Sequence, residues 1–150
     1  MLEVKDIHTY YKDSYILQGV SLEVNSAEIV CLLGRNGAGK STTIKSILGY
    51  SHPRRGQIHF LGKDITNQSV YKNVRMGMGY VPEDRRIFSD LSVQENFEIA
   101  FHSAVEVRWT IDHLFATFPL LDKFRHRKGS ELSGGEQQMV AIARALASQP

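Results

Sequence analysis

The chain has 150 residues, of which 42% are hydrophobic and 23% charged, and its formal net charge is +2. This length predicts one domain's worth of chain, with enough apolar residues for a core. The low net charge gives no support for attraction to nucleic acid or anionic lipid, so no nucleic-acid partner is expected. No apolar run approaches the length of about 18 residues of a membrane span, and residues 1–12 lack a signal-peptide core. The sequence therefore predicts an intracellular protein.

The cysteine and the histidines of the chain do not have the spacing of a metal-binding site. Cys31 is the single cysteine and lies in an apolar run, which predicts a buried small hydrophobe rather than a reactive thiol. The histidines have no metal-ligand spacing with one another or with Cys31, and each is expected to be a surface or packing residue. They are His8, His52, His59, His102, His113 and His126.

Residues 2–24 alternate loosely between apolar and polar positions, with turn residues near 12–14 and 25–26. This pattern predicts antiparallel strands at the start of the chain. Tyr10 and Tyr11 end the first of them. An aromatic ring at such a place could stack on a nucleotide base, although local chemistry alone favours strand packing for both tyrosines.

The segment 28–49 carries the main motif. Its apolar run at 29–33 predicts a buried strand, and residues 34–41 match G-x-x-x-x-G-K-[ST] without mismatch. Helical spacing follows, and Gly49 is a natural helix end. Glycines let backbone N–H groups approach phosphate oxygens, and the helix start adds further N–H groups and the positive end of its dipole. A Gly-rich turn that matches by chance is the alternative, and the strand–loop–helix context disfavours it.

The sequence therefore predicts a nucleotide site in this loop. Lys40 supplies a positive charge for the terminal phosphates, and the Ser41 hydroxyl is a candidate Mg²⁺ ligand. The predicted nucleotide-binding residues of the loop are Gly34, Arg35, Asn36, Gly37, Ala38, Gly39, Lys40, Ser41 and Thr42.

After the loop, the predicted secondary structure changes from strands to helices. Residues 57–61 predict a half-buried strand, and residues 74–82 predict another that ends at Pro82. From Ser92 onward the signals are helical: a capping box at 92–95, an apolar stripe that runs to Ala104, and a second stripe at 111–118. We expect a mixed α/β nucleotide-binding part at 1–82 and a helical part at 83–150.

A second motif opens the last predicted helix. Ser133 and Glu136 have capping-box spacing, and the apolar positions that follow are 139, 142, 143 and 146. The simple interpretation is a helix start. Paired glycines are costly in a helix, however, and they leave bare N–H groups that can bind a second anion. The motif consists of Leu132, Ser133, Gly134, Gly135 and Glu136.

Taken together, the two motifs resemble the ATP-binding cassette family, the motor subunits of ABC transporters. Residues 34–41 resemble the family's Walker A loop, and residues 132–136 resemble its signature sequence. Tyr11, six residues before Leu17, matches the aromatic that stacks on adenine in this family, which leaves Tyr10 as the packing residue. The resemblance implies an α/β P-loop NTPase fold with an antiparallel β N-terminal part and a helical subdomain.

One position departs from the common pattern. Glu83 follows Tyr80, Val81 and Pro82, at the position where most cassettes carry the Q-loop glutamine. In having an acid there, the chain resembles the ATP-binding subunits of branched-chain amino-acid importers. A carboxylate can ligand Mg²⁺ directly or through water, so Glu83 and Ser41 are the candidate metal ligands. The alternative is a solvent-facing loop acid.

The family's Walker B strand, catalytic Glu and switch His lie downstream of a segment like residues 143–150. No catalytic residue is therefore assignable within this chain. The sequence is expected to be a fragment of a longer cassette with an incomplete sheet, and this piece alone is expected to be inactive as an ATPase.

The resemblance implies ATP and Mg²⁺ as ligands and a second cassette as partner, with the signature residues acting on the nucleotide of that partner. It further implies permease subunits, indirectly a solute-binding protein, and a position on the cytoplasmic face of the cell membrane. The implied function is import of a solute, branched-chain (hydrophobic) amino acids above all. The alternatives are another solute, or a non-transport cassette ATPase in DNA repair or translation. A small GTPase is disfavoured because neither N-K-x-D nor D-x-x-G occurs.

Overall fold

The structure is a computed structural model that describes residues 1–101 and 108–150. The expectations for His102 and Ala104 lie outside the described residues. The chain divides into two compact units, Met1–Met76 and Gly77–Pro150. The functional division predicted at 82/83 stays a prediction.

The first unit is built on a four-stranded antiparallel sheet. Its strands are β1 (Leu2–Tyr11), β2 (Ser14–Val24), β3 (Arg55–Phe60) and β4 (Lys63–Asp64), in the order β2-β1-β3-β4. The antiparallel strands predicted at 2–24 are confirmed, as is a strand near 57–61. A two-residue turn with positive φ at Leu61 and Gly62 joins β3 to β4, and this backbone suits the right-handed twist of a hairpin.

Two helices complete the first unit, α1 (Lys40–Leu48) and α2 (Val70–Arg75). A buried hydrogen bond of 2.9 Å between the Thr9 and Ser46 hydroxyls joins β1 to α1. The α1 helix ends as predicted at Gly49, whose φ of 89° is left-handed. The Thr9–Ser46 bond therefore ties α1, and with it the end of the loop that precedes the helix, to the sheet.

The predicted strand at 29–33 is absent. This segment has no regular structure, and Ile29 is 97% exposed. An extended segment becomes a strand only when its backbone pairs with a neighbour, and no other part of residues 1–101 and 108–150 pairs with it. The predicted burial of Cys31 is wrong for the same reason, since this thiol is exposed.

The predicted strand at 74–82 is also wrong. Residues up to Arg75 belong to α2, and residues 78–82 are irregular. Glycine weakens strands, and Gly77 adopts a φ of 97° that no regular strand contains. Apolar residues at every second position of this segment therefore do not form a strand here.

The second unit is helical, as predicted. Its helices are α3 (Val93–Glu98), α4 (Ile111–Thr117), α5 (Pro119–Asp122) and α6 (Gly134–Ala147), with a 3-10 turn at Gly129–Glu131. Their shared core includes Val93, Phe97, Leu114, Leu121 and Val140, each with no exposed surface. None of the helices within the described ranges combines the length and hydropathy that a bilayer-spanning helix requires.

The buried faces of two helices match their apolar spacing only in part. In α1, Leu48 is buried, but the other buried residues are Thr42, Thr43 and Ser46, and Ile44 is exposed. In α6, position 143 lies in the core and positions 139 and 146 pack against it as predicted, whereas Ile142 is exposed and Val140 joins the core. Small and hydroxyl side chains allow close packing, so apolar spacing alone did not identify these faces.

Asn96 of α3 is fully buried and holds the chain that precedes this helix. Its Oδ1 accepts a hydrogen bond of 2.8 Å from the Phe88 N–H. Its Nδ2 donates to the carbonyl oxygens of Phe88 and Ser92, at 3.0 and 2.9 Å. The side chain thus substitutes for regular backbone pairing over residues 88–92.

We expect Asn96→Ala to lower the free energy of unfolding by about 1–3 kcal/mol, because it leaves the Phe88 N–H without an acceptor among the described residues and removes a donor to the Phe88 and Ser92 carbonyls. Chemical denaturation measures the change. Gln94→Ala is the matched control, since the Gln94 side-chain amide donates to Glu98 at an exposed site. Equal denaturation midpoints for the two variants would show that the Asn96 network contributes little.

Candidate functional site

The loop at residues 34–39 is a tight, exposed turn that leads into α1. Ala38 N–H donates to the Arg35 carbonyl at 3.1 Å, which closes the turn. Gly37 and Gly39 have φ of 82° and 92°, which L side chains rarely adopt. A Cβ on Gly39 would also lie 2.8 Å from Leu17 Cδ2, so the loop packs directly on the sheet. The local backbone therefore favours glycine at both positions, and the contact with Leu17 adds a steric reason at Gly39.

The first turn of α1 presents unpaired backbone donors. No side chain caps this helix. Within residues 1–101 and 108–150, the N–H groups of Lys40, Ser41 and Thr42 have no hydrogen-bond acceptor, whereas Thr43 N–H donates to the Gly39 carbonyl at 2.8 Å. Three unpaired N–H groups at the positive end of a helix dipole form a surface suited to an anion.

Lys40 bends back across the loop. Its Nζ donates to the carbonyl oxygens of Gly34 and Arg35, at 2.8 and 2.9 Å. These bonds hold a positive charge against the start of the loop that precedes the unpaired donors. The Ser41 side chain is exposed at the start of the helix. The residues present therefore fit a phosphate group and leave the Ser41 hydroxyl accessible to a cation.

Tyr11 lies close to α1 in the same unit. Ser51 Oγ donates to its hydroxyl at 3.4 Å, and the ring remains 42% exposed. The Ser51 hydrogen bond is the main reason that the pKa of Tyr11 lies below its ordinary value, with smaller contributions from Thr42 and Lys45. The structure thus places the partly exposed Tyr11 ring near α1.

The neighbouring Tyr10 has different surroundings. Its ring stacks on Tyr15 with 4.4 Å between the centroids, and the Arg54 guanidinium lies 4.5 Å from the centre of its ring. Tyr10 is therefore engaged in packing within the sheet.

The second motif opens α6 in the second unit. Ser133 is the N-cap: its N–H donates to Glu136 Oε2 at 2.6 Å, and its hydroxyl accepts from Glu136 N–H at 3.4 Å. This reciprocal pair is the predicted capping box. Leu132 is buried and anchors the turn to the core, and a Cβ on Gly135 would meet no described atom within 4 Å. The turn presents open backbone on the Gly135 side.

Glu83 is exposed and lies in a turn of the second unit. Among the described residues, no group of three or more His, Cys, Asp or Glu side chains is arranged to hold a metal ion. A Mg²⁺ site that includes Ser41 and Glu83 therefore stays a prediction.

Sequence analysis missed two contacts near these motifs. Ser51 is the hydrogen-bond partner of Tyr11, and Arg85 lies against the first turn of α6, where its Nη1 donates to Gln137. Neither contact has a local signal, because each joins residues that are 40 or more positions apart.

The capping box makes a prediction about pH. Hydrogen bonds from the Ser133 N–H and hydroxyl hold the pKa of Glu136 below its usual value. Because the folded pKa is the lower one, the capping box stabilises the fold fully above the ordinary glutamate pKa, and this contribution is lost as pH falls through the folded value. We expect an NMR titration of the Glu136 carboxyl to show the lowered pKa, and Ser133→Ala to raise it.

Glu95 is the internal control for this titration, because its pKa is lowered by Ser92 in a separate capping box. Its pKa should not respond to Ser133→Ala. A Glu136 carboxyl that titrates at the ordinary value in the unmodified protein would contradict the capping geometry.

Comparison with known proteins agrees with this geometry. The family model described as ABC transporter matches residues 17–150. The solved ATP-binding subunit of an ABC transporter superimposes with a TM-score of 0.84 at 31% identity, over 100% of this chain and 63% of that one. A dimeric ATP-binding cassette in a post-hydrolysis state, bound to ADP and Pi, superimposes with a TM-score of 0.83 at 29% identity, over 100% of this chain and 71% of that one.

Similar sequences include proteins of two transport systems. The probable branched-chain amino acid transport ATP-binding protein LivF of Archaeoglobus fulgidus is 37% identical, over 97% of this chain and 63% of its own length. The lipopolysaccharide export system ATP-binding protein LptB of Escherichia coli K12 is 38% identical, over 99% of this chain and 64% of its own length. The chain thus spans slightly less than two thirds of the relatives it matches. With its α/β fold and antiparallel N-terminal sheet, it belongs to the ABC transporter family of ATP-binding domains.

Proposed function

We propose that this chain binds ATP as part of an ABC transporter ATPase subunit. The observation that carries the proposal is the first turn of α1, where three backbone N–H groups have no acceptor among the described residues and the Lys40 ammonium is held against the preceding loop. Family membership supports the same assignment. In this proposal, residues 1–82 form the nucleotide-binding part and residues 83–150 the helical part.

In this proposal, each group at the loop contacts a different part of the nucleotide. Backbone N–H groups of Asn36, Gly37 and residues 39–42 donate to its phosphate oxygens, whereas the Ala38 N–H keeps its bond to the Arg35 carbonyl. Lys40 exchanges its two carbonyl partners for the terminal phosphates, which offer a stronger charge-assisted hydrogen bond. The exposed ring of Tyr11 stacks on the adenine base, and Ser51 keeps that ring near α1.

Mg²⁺ is the expected cofactor. The Ser41 hydroxyl and the Glu83 carboxylate are the oxygen ligands that this chain offers, and hard cations such as Mg²⁺ prefer oxygen. When bound, the metal neutralises charge on the phosphates and so favours transfer of the terminal phosphoryl group. Residues 1–150 alone are predicted to have little or no ATPase activity, because no general base is assigned among them.

The second motif acts across a pair of cassettes. Ser133, Gly134 and Gly135 present N–H groups at the start of α6, and we propose that they cover the nucleotide bound to a second cassette. The dimeric cassette structure that this chain resembles supports such a pairing. The pairing is two-fold, so each subunit completes the site of the other.

Permease subunits are the expected membrane partners, with a solute-binding protein acting on them from outside. The protein would then lie on the cytoplasmic face of the membrane. Import of branched-chain amino acids is the proposed transport function, supported by similarity to the LivF protein and to BraG of Pseudomonas aeruginosa, which is 38% identical. Similarity of the same degree to LptB makes lipopolysaccharide export the rival function.

We expect Lys40→Ala in the complete cassette to weaken ATP binding by about 1.5–3 kcal/mol, because it removes a charge-assisted contact. This corresponds to roughly a 10- to 150-fold rise in Kd. A titration with a fluorescent ATP analogue measures the change. Lys72→Ala, an exposed lysine of α2 in the same unit, is the matched control and should bind as the unmodified protein does. Unchanged affinity in the Lys40 variant would refute the phosphate role.

The transported solute is tested in the source organism. We expect deletion of the gene to reduce uptake of radiolabelled leucine, and we expect the unmodified gene, but not its Lys40→Ala variant, to restore it. Normal leucine uptake in the deletion strain, together with lipopolysaccharide retained in the inner membrane, would replace the import proposal with the export one.

A further inference from the structure

Arg85 lies flat against the first turn of α6, on the side where Gly134 has no side chain. A Cβ built on Gly134 would lie 3.0 Å from Arg85 Nη1 and 3.1 Å from Nη2. Arg85 Nη1 also donates to Gln137 Oε1 at 3.4 Å. Gly134 and Gln137 are three residues apart and share one face of the helix, so the guanidinium spans the turn.

Gln137 also makes a hydrogen bond to a second segment of the unit. Its Nε2 donates to the Gly129 carbonyl at 3.0 Å, at the start of the 3-10 turn that leads into Ser133. The Gln137 amide therefore accepts from Arg85 on one side and donates to the incoming chain on the other. The start of α6 is held from both directions.

The backbone that carries Arg85 is unusual and is itself fixed to α6. Arg85 and Arg86 have φ of 61° and 48°, values that are uncommon for residues other than glycine. The Arg86 carbonyl accepts a hydrogen bond of 2.6 Å from Arg144 Nη2, and the Arg144 guanidinium lies over the Phe88 ring at 5.1 Å from its centre. The Arg144 side chain is half-buried, and this burial lowers its pKa.

We propose that Arg85 is a positioning residue that fixes the signature turn, Ser133 to Gly135, through its contacts with Gly134 and Gln137. This inference rests on the proposed function, in which the signature turn acts on the nucleotide of the partner cassette. It also gives Gly134 a second role. Besides exposing its N–H group, this glycine leaves the space that the guanidinium fills.

The test is a cycle of variants in the complete cassette, assembled with its permease. Arg85→Ala lowers the kcat for ATP on the order of tenfold, a size that contacting residues commonly reach. It leaves the Kd of the isolated cassette for a fluorescent ATP analogue unchanged, since the Walker A loop is untouched. A loss of overall folding would instead change both quantities.

The cycle with the two glycines separates positioning from direct contact. A Cβ on Gly134 would displace the mobile end of Arg85, so Gly134→Ala should cost little further activity once Arg85 is already Ala. Gly135→Ala meets no described neighbour within 4 Å, so its effect should multiply with that of Arg85→Ala. Purely multiplicative effects at both glycines would overturn the proposal.

Arg125→Ala is the matched control. Arg125 stacks on the Phe115 ring at 4.1 Å and pairs with Asp122, so its loss removes an arginine–aromatic contact from the same unit without touching the first turn of α6. The kcat of this variant should stay within about twofold of the unmodified value. An equal fall in the Arg85 and Arg125 variants would overturn the proposal in favour of general destabilisation.

Amide hydrogen exchange gives a readout that does not depend on turnover. In the unmodified protein, exchange at Gln137 and Gln138 should be slow, and Arg85→Ala should speed it several-fold while leaving α4 unchanged. Unaltered exchange would overturn the proposal. If the unmodified cassette binds no ATP, the proposed function fails. If it binds and hydrolyses ATP while Arg85→Ala changes neither kcat nor exchange, only this inference fails.

Discussion

The close packing of Gly39 on Leu17 is the constraint on which the first unit depends. Because Gly39 has no side chain, the loop can turn directly above the sheet, and α1 begins at the next residue. The hydrogen bond between Thr9 and Ser46 then fixes the direction of the helix. The consequence is a set of backbone N–H groups at the start of α1 that have no acceptor among the described residues and are already in place for an anion.

The second unit also has a glycine-containing helix start, but other residues hold it in place. Its helix α6 is capped by Ser133 and Glu136, anchored at Leu132, and contacted along one side by Arg85. A helix start that contains two glycines has little intrinsic preference for one conformation. The order of this turn therefore comes from the local capping box together with Arg85, which lies far away in sequence.

Local sequence patterns predicted the features that local forces determine. Both capping boxes and the helix end at Gly49 follow from interactions within a few residues, and the antiparallel strands at 2–24 pair with each other directly across one short turn. The exposed segment 29–33 could not be predicted in this way, because burial of an apolar run depends on the strands that pair with it. The Walker A loop was predicted from its motif alone, whereas the contacts of Arg85 and Ser51 join residues distant in sequence and have no local signature.

The central claim is that bare backbone amides at the start of α1 bind a triphosphate. Titration of the isotope-labelled cassette with Mg-ATP, followed by the backbone NMR signals of residues 37–41, tests it most directly. The account predicts large, saturable shifts of these signals, and no comparable shifts when adenosine replaces the nucleotide. Signals that stay in place at saturating Mg-ATP would contradict it.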